Sequence, residues 1–111
     1  MARSFVPGAG DIVWLEFSPQ AGHEQAGHRP ALVLSPTSYN GKTGLMICCP
    51  MTTQIKGYPF EVIVSRNPQS AILSDQVKSL DWRARRTKWK ASVKAEILDE
   101  VRGKLGALIG T

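Results

Sequence analysis

The chain has 111 residues, 14 Lys+Arg against 9 Asp+Glu, a formal net charge of +5 and 42% hydrophobic residues. That length suits one domain with one modest core, here residues 1–111 as a whole, and the apolar fraction excludes wholesale disorder. No run approaches the roughly 18 apolar residues of a membrane span, residues 1–11 lack the apolar stretch of a signal peptide, and Cys48 and Cys49 are neighbours that suit neither a disulfide framework nor a zinc site. The expectation is a small, basic, cytoplasmic protein with an anionic partner and no role at a membrane.

Asp11–Phe17 (DIVWLEF) is rich in β-formers, follows a Gly-rich turn and reads as a strand. Residues 30–35 (PALVLS) open with a proline, which is tolerated at the start of a second strand. Residues 36–44 carry turn chemistry around Asn40-Gly41, and residues 45–51 read as a third, buried strand. Residues 60–64 alternate as a fourth. Residues 76–82 and 88–93 then suggest a closing hairpin around the basic turn 83–87. Ile97, Leu98, Val101, Leu105, Leu108 and Ile109 follow the period of one helical face, with Ser92 as the expected N-cap and Glu96 early in the helix. Gly103 and Gly106 weaken that helix by ~1 kcal/mol each relative to Ala. Both lie off its apolar stripe, where close packing against another chain would account for them. The fold class is mainly β, about five short strands plus one C-terminal helix, arranged as a small curled barrel or half-open sheet.

The charge is uneven. Lys78, Arg83, Arg85, Arg86, Lys88, Lys90 and Lys94 supply half of the 14 basic residues, opposed only by Asp81 and interleaved with Trp82 and Trp89. Such a segment can neutralise phosphates while its aromatics stack on bases. The alternative is a solvated hairpin whose tryptophans pack inward. Residues 22–30 (GHEQAGHRP) gather two His, one Glu and one Arg in a Gly-flanked loop before a strand. Glu24 suits a general base, His23 or His28 an acid or base, and Arg29 a phosphate clamp. A merely polar surface loop is the competing reading. His23, Glu24 and His28 lack a helical metal-ligand frame, so neither a metal nor another cofactor is expected. Thr52 and Thr53 close a strand in PMTTQ, where they could hydrogen-bond a phosphate or serve structure alone.

Five collinear segments carry a resemblance: GHEQAGHRPALVLSP, CPMTTQ, KGYPFEV, DQVKSLDWRAR and the C-terminal helix. Together they resemble the MazF/PemK toxin family across nearly the whole chain, most closely its MazF branch. The resemblance implies an SH3-like barrel working as a homodimer. It also implies metal-independent cleavage of single-stranded mRNA at a short motif, with an ACA-containing triplet the first expectation. The antitoxin partner would place an acidic, disordered tail in the RNA groove, and operator DNA would be met only through that complex.

Residue by residue, the family pattern puts catalysis on Arg29 and Thr52, with Glu24 favoured as base and His28 as its competitor. Histidine's ordinary pKa of ~6.5 suits neutral pH better than glutamate's ~4.3, but Glu24 belongs to the shared GHEQ motif. His23, His28, Thr53, Lys56, Asp75, Gln76, Lys78, Arg83, Arg85 and Lys88 are the expected RNA contacts, with specificity in residues 20–27 and 56–58. Some relatives carry a catalytic Arg two positions before the acid of the DQV motif. Leu73 stands there, which favours the Arg29–Thr52 version. The rivals are a gyrase-poisoning toxin of the same barrel, expected to lack the Arg–Thr pair, and a nucleic-acid-binding module without chemistry.

Overall fold

In β1 (Asp11–Phe17), Val13, Leu15 and Phe17 enter one buried cluster while Ile12 enters another. This two-sided burial recurs along the neighbouring strands. The computed structural model describes residues 5–17 and 27–111. The remaining elements are β2 (Gly27–Val33), α1 (Thr37–Thr43), β3 (Leu45–Thr52), β4 (Glu61–Arg66), β5 (Gln69–Leu73), a 3-10 turn (Ser74–Gln76), β6 (Lys78–Asp81), β7 (Lys88–Ser92) and α2 (Ala95–Ile109). The strands form one sheet in the order β4-β5-β3-β2-β1-β7, with β6 attached to β3. All the pairings are antiparallel.

Both faces of the curled sheet are covered. Ala31, Val33, Met46, Cys48, Leu80 and Trp82 complete the first cluster, against which Phe5 and Val6 pack. Leu32, Leu34, Cys49, Met51, Val62, Ile72 and Val101 form the second, which is closed by Ile97, Leu98 and Leu105 of α2. This explains why β2 and β3 read as near-continuous apolar runs. Cys48 and Cys49 are both buried, one in each cluster. Burial is the first cause that pushes both thiols up to about 12, so they stay protonated at neutral pH.

The structure corrects several expectations. The sheet has seven strands, and β5, too short and polar to stand out in sequence, returns from β4 through residues 67–68. Residues 36–44 hold α1 instead of an open turn: Pro36 precedes the helix and Gly44 closes it at φ 73°. Asn40 is fully buried in α1, because its side-chain amide donates to the carbonyls of Pro7 (2.7 Å) and Ser35 (3.0 Å) and accepts from the Ser35 hydroxyl (2.6 Å). Its own carbonyl accepts from Trp82 Nε1 at 2.9 Å.

That bond also explains why no closing hairpin forms. Trp82 turns inward, β6 pairs with β3, and β7 crosses to pair with β1. The crossing is fixed by Arg85, whose carbonyl accepts from the Glu16 N–H and whose guanidinium donates to the Glu16 carbonyl, both at 3.0 Å. Ser92 is the last residue of β7, opposite Asp11, and does not cap α2. Lys94 holds the N-cap position without a side-chain bond. On α2, Leu108 and Ile109 remain 49% and 65% exposed, outside the second cluster. A Cβ on Gly103 would meet nothing within 4 Å, while one on Gly106 would meet Thr111 Oγ1 at 2.6 Å.

Asn40→Ala leaves several buried partners unpaired and is expected to destabilise the protein by about 3 kcal/mol in urea unfolding. A loss below about 1 kcal/mol would show that these bonds do not organise the junction.

Candidate nucleic-acid cleft

The curled sheet leaves an opening between its edge strands, β4 and β7. A cleft of about 870 Å³ fills it, walled by β1, the start of β2, the end of β3, the β4–β5 turn, β7 and the first turn of α2. Its lining includes Trp14, His28, Arg29, Thr52, Thr53 and Lys90. The β2–β3 ladder pairs Ala31 with Pro50. Continuing that register by two residues sets Arg29 opposite Thr52, so antiparallel pairing brings two residues 23 positions apart to one place. Thr52 Oγ1 accepts the Gln54 N–H at 3.1 Å, which orients the hydroxyl and leaves its proton to donate.

Trp14 sits between an imidazole and an ammonium. The His28 ring stacks on it at 5.4 Å and 11°, and Lys90 Nζ lies 5.4 Å from its centroid. Trp14 and His28 meet because Trp14 pairs with Pro30, two residues along β2 on the same face. The result is a cationic and aromatic wall beside Arg29.

Thus Arg29, Thr52, Thr53 and His28 come together, whereas Glu24 and His23 lie outside the described residues. The other expected contacts do not line this cleft. Lys56 is exposed on the β3–β4 loop, and Asp75 accepts the Tyr58 hydroxyl through both oxygens at 2.7 and 2.8 Å. Gln76 is half-buried beside it, Lys78 opposes Cys48 in the sheet, and Lys88 opposes Trp14. Arg83 donates to the Gly41 carbonyl at 2.9 Å and covers Trp82, and Arg85 is bound to Glu16. Of the two tryptophans of the basic segment, Trp82 is core and Trp89 is 56% exposed.

Sequence reasoning passes over Trp14, Gln69 and Glu61. Trp14 is legible as the half-buried aromatic of β1, but its use emerges only from pairing. Glu61 is 8% exposed and accepts backbone N–H groups from Lys56 and Gly57. Those bonds, the Lys56 N–H foremost, hold its carboxyl below the usual range against the opposing effect of burial. Burial, followed by the bond to Asp75, pushes the Tyr58 phenol up to about 12, so it remains a donor. Among the described residues no group of three or more His, Cys, Asp and Glu could hold a metal ion, and no helix is long and apolar enough to cross a membrane.

The family model of the PemK-like, MazF-like toxins of type II toxin-antitoxin systems matches residues 9–109. The chain is 51% identical to the endoribonuclease toxin MazF of Escherichia coli K12, over 99% of this chain and 100% of that one. It is 30% identical to the E. coli endoribonuclease PemK, over 90% and 80%. A crystal structure of MazF from Deinococcus radiodurans superposes with a TM-score of 0.90 at 56% identity, covering 97% of this chain and all of that one. The same toxin in a MazE–MazF crystal superposes at 0.86 with 54% identity, over 96% and 99%. A barrel toxin with this fold and cleft defines the class. The chain belongs to the PemK-like, MazF-like toxin family, as a MazF-like endoribonuclease toxin.

Because the folded Glu61 carboxyl titrates below its ordinary value of 4.5, its stabilising effect is complete above that pH and disappears as pH falls through the folded value. Thermal melts from pH 6 to 3 should therefore show Glu61→Gln less stable than the parent near neutrality, with the gap closing in acid. A gap independent of pH would mean that the charge is not what the N–H groups hold.

Proposed function

We propose that the chain cuts single-stranded RNA, chiefly mRNA, at a short motif without a metal ion, leaving a 2′,3′-cyclic phosphate and a 5′-hydroxyl. The observation that carries this reading is the convergence of Arg29 and Thr52 on one cleft with a cationic, aromatic wall. RNA brings its own nucleophile, the 2′-hydroxyl, so the protein must supply a base, charge stabilisation and a proton for the leaving oxygen. Arg29 stabilises the negative charge that grows on the phosphorane, and Thr52 donates its hydroxyl proton to the scissile phosphate. Glu24 takes the 2′-hydroxyl proton. His28 is the second reading for that role, favoured by its place in the cleft on Trp14.

The remaining basic residues, including Lys56, Lys78, Arg83, Arg85 and Lys88, guide the rest of the RNA strand by charge. The cognate antitoxin occupies the same cleft with an acidic tail, a reading supported by MazE–MazF crystals of a toxin 54% identical to this chain. A homodimer extends the groove beyond one chain, and an ACA-containing triplet is the first motif to try. The Arg29–Thr52 pair speaks against the gyrase-poisoning and non-catalytic alternatives.

Arg29→Ala should lower cleavage of a defined single-stranded RNA by at least about a hundredfold with the fold retained. EDTA should change nothing, and mapping the 5′-hydroxyl ends of a long transcript should give the motif. Near-normal cutting by the variant, or loss with chelator, would overturn the mechanism. Separately, Lys88→Ala with Lys90→Ala should weaken RNA binding and flatten its dependence on salt by about two units of slope. An unchanged slope would remove β7 from the RNA path.

A further inference from the structure

The β3–β4 loop is held from within. Four consecutive N–H groups, from Gln54 to Gly57, each end on a side-chain oxygen. Gln54 donates to Thr52 Oγ1 (3.1 Å), Ile55 to Gln69 Oε1 (3.2 Å), Lys56 to both Glu61 oxygens (3.2 and 3.0 Å) and Gly57 to Glu61 Oε1 (2.7 Å). Gly57, at φ 83°, permits the turn that aims successive N–H groups at one carboxylate. Beyond it, the Tyr58 hydroxyl is bound by Asp75 and the Pro59 carbonyl by the Lys104 ammonium at 2.5 Å. Surface loops usually leave such groups to water. Here two of the clamping side chains, Thr52 and Gln69, also line the cleft.

We propose that Glu61 is a positioning residue for substrate selection: it fixes residues 54–58 as a rigid wall beside Thr52, so that the exposed side chains of Gln54 and Lys56 meet RNA bases at a set spacing. This rests on the endoribonuclease reading and deepens it. With the N–H groups of residues 54–57 turned inward, the loop offers the strand its side chains and carbonyls. Choosing among unstacked bases requires such groups at fixed positions, because a loop that must be ordered during binding discriminates less. Glu61 itself starts β4, opposite Leu73, and is not among the residues that line the cleft. Its loss therefore removes the support without removing Arg29 or Thr52.

The test compares kcat/KM on two short RNAs, one carrying the mapped motif and one with a single-base mismatch in it. Glu61→Ala should lower the matched-to-mismatched ratio about tenfold, mainly through the matched RNA. Glu61→Gln, which keeps an acceptor oxygen, should fall between it and the parent. Amide exchange at Lys56 and Gly57 should quicken in the same order. If Glu61→Ala does not fold, Tyr58→Phe releases the loop at its other anchor and should lower the ratio to a smaller degree. An unchanged ratio, or an equal fall on both RNAs, overturns the inference while leaving the endoribonuclease reading in place. A parent protein that cuts neither RNA overturns both.

Discussion

The whole structure depends on a sheet that must bury both of its faces in a short chain. β3 shows the constraint most clearly, since Cys48 and Cys49 are consecutive and each lies in a different core. One face is closed by Trp82 and the N-terminal segment, the other by α2. A sheet covered on both sides has no exposed apolar face. Its open margin becomes the place where a ligand can enter, between the edge strands.

Chemistry follows from that margin. Arg29 lies near the start of β2 and Thr52 ends β3, so neither is locked into the cores that their strands build. The ladder that pairs Leu32 with Cys49 and Ala31 with Pro50 sets where both side chains emerge. Placement by register is stiff, and stiffness matters where charge must be met at the moment it develops. The same economy governs Trp14, which leaves β1 on the face where His28 and Lys90 reach it.

Much of this is legible in the sequence, for identifiable reasons. β1 can be read to its ends because its β-formers carry a local signal, and α2 because its helical period is sustained over many residues. Residues 36–44 mislead because Asn-Gly signals a turn only where Asn is solvated, and Asn40 is instead bound to Pro7, 33 residues away. β6 and β7 look like a hairpin because they are neighbours in sequence with a basic turn between them. Their partners are remote, and no local pattern encodes a crossover. In the cleft, Arg29 and Thr52 are found by resemblance. The clamps of Glu61 and Gln69 escape because an acid at the start of a strand and a glutamine after a turn are ordinary until the loop they hold is seen. Even the basic cluster divides: Lys90 reaches the cleft, while Arg83 and Arg85 tie α1 and β1 to the crossing segment.

The crossover of β7 to β1 also sets an order of assembly. Arg29 and Thr52 belong to early strands, but Lys90 to Ile97, the opposite wall, come from β7 and the start of α2. A chain emerging from the ribosome therefore carries its reactive pair long before it has a cleft around them. Cutting power would arrive in one step with the last strand and helix, which spares the machinery translating the toxin from a half-made product.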